Sequence, residues 1–278
     1  MKRRIWLCAD DYGISPGVNR AIRDLVERGR LNATSVMVVG AAISRSEADA
    51  LRASVGVSPR CAIGLHVTLT APFRPLTMHF RPLEGEMFLP FARLFRRGFA
   101  GRLDSEIIYI EVKEQLAAFA DLFGRVPDYV DGHQHVQLFP GIQKAFLSAV
   151  KEAAPSAWVR QCGRNRPLLH RLDSMKALVL DVLSRQFRRR ALQMGLTFNS
   201  AFAGAYDFSL EPDFAALMPQ FFQEIPERGV VMCHPGLVDD VLISLDPFTF
   251  QREREYAFLG DERFLAQMEA SQVTLGQP

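Results

Sequence analysis

Aspartate and histidine residues end or follow four separate apolar runs of this sequence. They are Asp10 and Asp11, then His66, then Asp131, His133 and His135, and finally His234. One carboxylate and two neutral imidazoles can hold a divalent metal and leave positions open for water and substrate. A metal held in this way lowers the pKa of its water and polarises a carbonyl oxygen. Together with a second carboxylate as proton acceptor and a histidine as proton donor, the set predicts hydrolysis of an amide or ester.

A single histidine or aspartate at the end of a strand is usually a hydrogen-bonded cap. The whole pattern is harder to explain in that way, because four of the chain's six histidines belong to it. Residues 131, 133 and 135 alternate, so on a continuous strand their side chains would point to the same side. Parallel sheets carry their active sites at the carboxyl ends of their strands, so we expect these residues to meet at one edge.

Short apolar runs alternate with helical patterns along most of the chain. Strands are expected over residues 5–9, 33–39, 62–69, 129–135, 158–161 and 230–233. Helices are expected after Ser15, over 44–54, after Asp104 or Ser105, over 140–153 and within the basic stretch 168–195. This order predicts an α/β protein with a parallel sheet. At this length an irregular, TIM-like (β/α) barrel with its active site at the C-terminal rim is favoured over an open sheet.

Composition narrows the possible classes of protein. The 278 residues are 48% hydrophobic and 23% charged, which is typical of a folded domain, and a net charge of +2 gives no support to nucleic-acid binding. No apolar run approaches the roughly 18 residues of a membrane span. Four scattered cysteines without a CxxC motif suggest reduced thiols in a cytoplasmic protein. We expect one domain over 1–278, with rim insertions at about 71–103 and 165–200.

Other catalytic classes find no support in the motifs. The GxSxG pattern of serine hydrolases occurs once, at residues 13–17, but its serine, Ser15, is expected to cap the helix that begins at Pro16. There is no GxGxxG fingerprint and no P-loop. A thiol nucleophile at Cys233 would point away from His234, because neighbours on a strand face opposite sides.

Four motifs in order resemble those of the YdjC-type carbohydrate deacetylases: ADDYG (9–13), GLHVTLT (64–70), DGHQHV (131–136) and MCHPG (232–236). The family includes chito-oligosaccharide deacetylases and a deacetylase-like protein associated with hopanoid biosynthesis. The resemblance runs from the first residues to about residue 260. It includes an ExxxQ pair at Glu111 and Gln115.

The resemblance implies roles for individual residues. Asp11, His66 and His133 would bind one divalent metal, with Zn²⁺ favoured and Mg²⁺ also compatible. Asp10 would be the general base, and His234 the general acid or the group that stabilises the tetrahedral intermediate.

Three further residues would support these or bind substrate. Asp131 and His135 would orient a ligand histidine or contact the sugar. Arg160 would hold Asp10 or a substrate oxygen, although a purely structural arginine fits its position equally well. The family fold is an irregular (β/α) barrel, in agreement with the alternation of strands and helices.

Two segments combine apolar and basic residues. Residues 88–103 contain four phenylalanines and four arginines without an acid, and residues 170–194 combine leucines and valines with arginines. Such faces either pack on the barrel or contact a membrane with anionic lipids. The second interpretation favours the hopanoid-associated branch and a lipid-linked N-acetylglucosaminyl substrate.

Three alternatives stay open. The substrate could be a soluble chito-oligosaccharide. The same cluster could serve a hydrolase of another amide or ester, or a lyase. The chain could also be a non-catalytic, membrane-associated partner in lipid biosynthesis.

Overall fold

The computed structural model describes residues 2–56, 61–164, 175–207 and 212–276. In this part of the chain the strands are β1 (Arg3–Tyr12), β2 (Ala33–Val36), β3 (Ala62–Val67), β4 (Leu83–Glu84), β5 (Met87–Phe88), β6 (Tyr129–Gly132), β7 (Trp158–Val159), β8 (Phe202–Ala203), β9 (Val230–Cys233) and β10 (Val273–Leu275).

The helices lie between these strands or follow them. They are α1 (Pro16–Glu27), α2 (Arg45–Ser54), α3 (Phe91–Phe99), α4 (Ser105–Phe123), a 3₁₀ helix (His133–Leu138), α5 (Gln143–Ala153), α6 (Met175–Gln193), α7 (Phe214–Glu224), α8 (Asp240–Leu245), α9 (Phe250–Gly260) and α10 (Glu262–Ala270).

Seven parallel strands form the main sheet in the order β7-β6-β3-β2-β1-β9-β8, and β10 pairs with the start of β1. The two ends of this sheet are joined. The Val159 amide donates to the Thr197 carbonyl at 2.9 Å, and the Phe202 amide donates to the Gly163 carbonyl at 3.0 Å. The sheet therefore curls into the irregular, TIM-like α/β barrel that the sequence predicts.

Local signals place the helices where the sequence suggested. The Ser15 side chain accepts a hydrogen bond from the Val18 amide, and Pro16 is the first residue of α1. Asp104 caps α4 in the same way by accepting from the Glu106 amide. These caps fix the residues at which α1 and α4 begin.

The strands of the barrel are buried on both faces, so their side chains fill its interior. At the bottom of the barrel Tyr129 stacks on Trp158 with ring centroids 4.4 Å apart. A Cβ atom on Gly64 would lie 2.4 Å from the Tyr129 ring, so the glycine of the GLHVTLT motif is needed for this packing. All four cysteines are buried and free of disulfides, as expected.

The prediction of one strand over residues 129–135 is wrong. β6 ends at Gly132, and the next residues enter the 3₁₀ helix with Gln134 at φ 54° and His135 at φ 59°. Two successive residues in the left-handed region turn the chain sharply. Asp131, His133 and His135 therefore do not share one side of a strand.

The segment 71–103, which the sequence predicts to be a rim insertion, follows the C-terminal end of β3. The β4–β5 hairpin and α3 belong to it, and Phe95 of α3 packs on Phe139, which directly follows the 3₁₀ helix, at 5.2 Å between ring centroids. Phe91 and Phe99 of the same helix are 41% and 51% exposed.

The second predicted insertion is described only in part. Residues 165–174, including His170, lie outside the described residues. In α6 the apolar side chains of Leu183 and Phe187 are buried in the core, whereas Val182 and Leu192 are exposed. Among the described residues, no helix combines the length and the apolar character that crossing a membrane requires.

Candidate active site

A cavity of about 580 Å³ opens at the C-terminal ends of the barrel strands. Its polar lining contains six of the predicted residues: Asp10, Asp11, His66, His133, His135 and His234. Apolar side chains, among them Phe73 and Phe248, line the rest of its wall. Parallel strands thus bring together residues that are more than 200 positions apart in the sequence.

Asp11, His66 and His133 form a compact set of potential metal ligands. One ligand atom from each lies within 4.8 Å of the others. Asp11 Oδ1 is 3.0 Å from His133 Nδ1 and 3.3 Å from His66 Nε2. Asp11 adopts φ 71°, a left-handed conformation that aspartate tolerates better than most residues, and its carboxylate contacts these two histidines.

The donor set fits a divalent ion. Atoms bound about 2.1 Å from a metal lie about 3.0 Å apart at a right angle and about 3.4 Å apart at the tetrahedral angle. The observed separations of 3.0 and 3.3 Å fall in this range. One carboxylate and two imidazoles also suit Zn²⁺ and other first-row ions.

Asp131 fixes the orientation of His66. Its Oδ1 lies 2.5 Å from His66 Nδ1, which leaves Nε2 facing Asp11. A carboxylate behind a ligand histidine is a common support in metal sites. Burial lowers the pKa of His66, but Asp131 and Asp10 outweigh burial and raise it to about 10. The same negative charge that attracts a proton here would attract a metal cation.

Asp10 faces a different partner from its neighbour. The Arg160 guanidinium donates to both of its carboxylate oxygens, at 2.9 and 2.7 Å. Burial alone would raise the pKa of Asp10, but the charge of Arg160 dominates and holds it well below the usual range. Asp10 is therefore ionised at neutral pH and lines the cavity beside the Asp11 cluster.

Arg160 also binds Asp131, with Nη2 2.5 Å from Oδ2. Both side chains are fully buried, and neither lines the cavity. The predicted contact of Arg160 with Asp10 is present. A direct contact of Asp131 or Arg160 with substrate does not fit their position, because each is enclosed beneath the cavity and bound to other residues of the site. They connect Asp10 to His66 instead.

His234 follows β9 directly and enters the cavity wall. Its backbone amide donates to the Glu255 carboxylate. Burial lowers the pKa of His234 to about 4, so its ring is neutral at pH 7. Burial also raises the pKa of Glu255, to about 7, and outweighs the hydrogen bonds from Tyr206 and the His234 amide, which lower it. Glu255 forms no ion pair in the described part of the chain.

His135 lies in the cavity wall away from the Asp11 cluster. Its Nδ1 is 3.5 Å from the Cys162 thiol, and its ring meets Phe202 edge to face. Burial and the charge of Arg160 lower its pKa to about 3, so it is neutral. The cavity position is compatible with the predicted contact to substrate.

Sequence reasoning missed Arg252 and Glu255, which both belong to α9. Arg252 Nη2 is 2.6 Å from Asp11 Oδ2 and 2.6 Å from Asp246 Oδ2. In the sequence QREREYAF the two residues look like part of a solvated helix. The two residues are three positions apart, and Leu259 follows four residues later, which is the spacing of one helix face. This spacing was the only indication in the sequence that they are buried.

The profile of the YdjC-like protein family matches residues 4–270, so the chain belongs to this family. The chitooligosaccharide deacetylase of Yersinia pestis bv. Antiqua (strain Angola) is 28% identical over 264 residues, which cover 93% of this chain and 91% of that protein. The chitooligosaccharide deacetylase of Serratia marcescens is 27% identical over 256 residues, covering 88% and 86%.

A solved structure shares the fold. It is that of a protein from Enterococcus faecalis V583 named "putative cellobiose-phosphate cleavage protein". The TM-score is 0.77 at 19% sequence identity, over 100% of this chain and 98% of the other. At this identity the likeness concerns the fold alone, and it agrees with the irregular barrel described above.

Proposed function

We propose that this protein is a metal-dependent carbohydrate N-deacetylase that removes an acetyl group from an N-acetylated amino sugar. One observation carries the proposal: three potential metal ligands, an ionised carboxylate and a neutral histidine line the same cavity. The deacetylase relatives of similar length support the same reaction class.

Asp11, His66 and His133 would hold the metal, and we propose Zn²⁺ first and Mg²⁺ second. When bound, such an ion polarises the acyl carbonyl and lowers the pKa of water. Asp131 keeps the Nε2 atom of His66 turned toward the ion site. Arg252 occupies the second oxygen of Asp11, which leaves Oδ1 for the metal.

The remaining residues move protons. Asp10 accepts a proton from the water that attacks the acetamide carbon, and Arg160 keeps Asp10 ionised until that moment. As the C–N bond breaks, His234 delivers a proton to the nitrogen of the sugar. Because His234 is neutral at rest, it first takes up a proton from solvent, and Asp10 returns the proton of the attacking water to solvent after the C–N bond has broken. The products are acetate and the free amine.

The finer proposal is a lipid-linked amino sugar, such as an N-acetylglucosaminyl hopanoid, at the inner face of a membrane. Phe91 and Phe99 of α3 are partly exposed, and Arg96 and Arg97 of the same helix face solvent. Exposed aromatic rings next to arginines suit the surface of an anionic membrane. The buried apolar face of α6 offers less support, because Leu183 and Phe187 pack in the core.

The test is acetate release from two substrates, each with and without a chelator. One is an N-acetylglucosaminyl lipid in micelles, and the other is a soluble chito-disaccharide. Chelator-sensitive release from both substrates, faster from the lipid than from the soluble sugar, is the expected result. Release from the soluble sugar alone would keep the reaction and reject the lipid. No release from either, by a protein that binds no metal, would favour a non-catalytic partner and overturn the proposal.

A further inference from the structure

The ExxxQ pair of α4 lies outside the cavity and is fully buried. The Glu111 carboxylate accepts from four donors. They are the Leu76 amide at 3.1 Å, the Thr77 amide at 3.0 Å, the Thr77 hydroxyl at 2.7 Å and Gln115 Nε2 at 2.9 Å. A buried carboxylate is costly unless its oxygens are satisfied, and these donors satisfy both oxygens of Glu111.

Gln115 holds the other end of the same loop. Its Oε1 accepts from the Thr68 amide at 3.0 Å, and its Nε2 donates to the Thr68 carbonyl at 2.8 Å. Thr68 lies two residues after His66. The pair therefore fixes residues 68–77 at both ends, at the point where the chain leaves β3 and enters the rim.

The residues between these two anchors form part of the cavity wall. Ala71, Pro72 and Phe73 line the cavity. The Phe73 ring meets the His133 ring edge to face, with centroids 5.9 Å apart and planes at 90°. Two backbone hydrogen bonds, Ala71 to Leu89 and Phe88 to Phe73, also hold this stretch. Glu111 differs from them because it holds the stretch through a buried charge.

We propose that Glu111 and Gln115 are positioning residues that set the affinity of the site for its sugar by holding Phe73 in the cavity wall. This inference rests on the proposed function for the nature of the substrate. Asp10, Asp11, His66 and His234 lie on β1, on β3 and directly after β9, outside the loop. Loss of the anchor should therefore weaken substrate binding more than it slows the chemical step.

The test compares Glu111→Gln with the matched control Glu114→Gln, which changes an exposed glutamate on the same helix. Glutamine turns an NH₂ group toward amide donors, so at least one of the four bonds is lost. We expect KM for a chito-disaccharide, and its Kd by calorimetry, to rise about tenfold with kcat within about threefold. Thr77→Val removes only the hydroxyl donor, so this variant should fold. Its KM and Kd should rise by less than those of Glu111→Gln.

A double-mutant cycle tests whether the anchor acts through Phe73. If it does, Glu111→Gln combined with Phe73→Ala should bind the sugar no more than about twofold worse than Phe73→Ala alone. Additive losses would overturn the proposal. So would unchanged KM and Kd in a Glu111→Gln protein with a lowered melting temperature, which is the outcome of a purely structural role.

The calorimetric reading separates this inference from the proposed reaction. If the wild type binds the disaccharide but releases no acetate, the reaction fails, and the ratio of Kd values still decides the role of Glu111. If the wild type does not bind the disaccharide at all, this inference is overturned, whereas the proposed reaction is still decided by acetate release from the N-acetylglucosaminyl lipid.

Discussion

The floor of the cavity and its rim are built in opposite ways. In the floor, defined here as Asp10, His66, Asp131 and Arg160, every side chain is at least 98% buried and each charge meets an opposite one. In the rim, segment 71–103, the buried Glu111 holds only the first residues, whereas Met78 and, on α3, Phe91 and Phe99 are exposed.

This difference indicates where each region can contribute. Buried ion pairs resist rearrangement, because removing one partner leaves an uncompensated charge at a cost of about 3–5 kcal/mol. The floor is thus suited to chemistry, which needs groups held in one geometry. Exposed apolar side chains contribute little to folding, so the rim is free to serve substrate recognition.

The largest effect is expected from the base in the floor. Asp10→Asn should lower kcat by about 10²- to 10⁴-fold, because an amide cannot accept the proton of water. Metal should remain bound, since Asp10 is not one of the three clustered ligands. The measurements are acetate release and metal content. Full turnover in this variant would remove Asp10 from the mechanism.

A smaller effect is expected one contact further from the ion site. Asp131→Asn should weaken metal binding by about 10- to 100-fold, because His66 loses the carboxylate that orients it. Competition with a chromogenic chelator measures the affinity. Asp121→Asn changes an exposed aspartate on α4 and is the control. Equal affinities in the two variants would show that the floor does not orient the ligand.

Glu255 contrasts with the groups of the floor, because it is a buried carboxylate without an ion pair in the described part of the chain. Its pKa is raised from 4.5 to about 7, chiefly by burial. Between these values the folded state holds more protons than the unfolded state, so this group's contribution to stability falls as pH rises.

The corresponding variant is Glu255→Gln. Relative to it, the wild type should lose unfolding free energy between pH 4.5 and pH 7, with no further loss above that range. Denaturant unfolding at several pH values measures the difference, with Glu253→Gln on the same helix as control. A difference that does not change with pH would mean that folding leaves the pKa of Glu255 unchanged.

The smallest effect is expected at the rim. Phe99→Ser should change kcat/KM for a soluble chito-disaccharide by less than about threefold, because the side chain is 51% exposed. With an N-acetylglucosaminyl lipid in anionic micelles the loss should be larger than in Val182→Ser, a change at an exposed position on α6. Equal behaviour of the two variants on the lipid would reject a membrane-facing role for α3.

Much of the arrangement could be predicted from the sequence. Asp10, His66 and His234 end or follow apolar runs, and parallel pairing alone brings such positions to one edge. The path of DGHQHV could not be predicted in the same way. Gln134 and His135 adopt left-handed conformations, which are uncommon for any residue other than glycine, so packing around them must decide the turn.

Arg252 and Glu255 on α9 could not be predicted from the sequence for a different reason. Arg252 and Glu255 are charged residues in a charged helix, and their face is buried only because α9 packs against other helices of the fold. The pairing of Arg252 with Asp11 joins positions 241 apart in the sequence, and no local pattern indicates such a contact. The ExxxQ pair was visible as a motif, but its bonds to Thr68 and Thr77 required the fold.

The most direct test of the central claim is a titration of the metal-free protein with zinc, followed by acetate release from an N-acetylated amino sugar. We expect no release without metal and activity that rises to a plateau at one equivalent per chain. His133→Ala should neither bind that equivalent tightly nor become active. Acetate release by the metal-free protein, or by His133→Ala at the wild-type rate, would contradict the assignment of Asp11, His66 and His133 as the metal site.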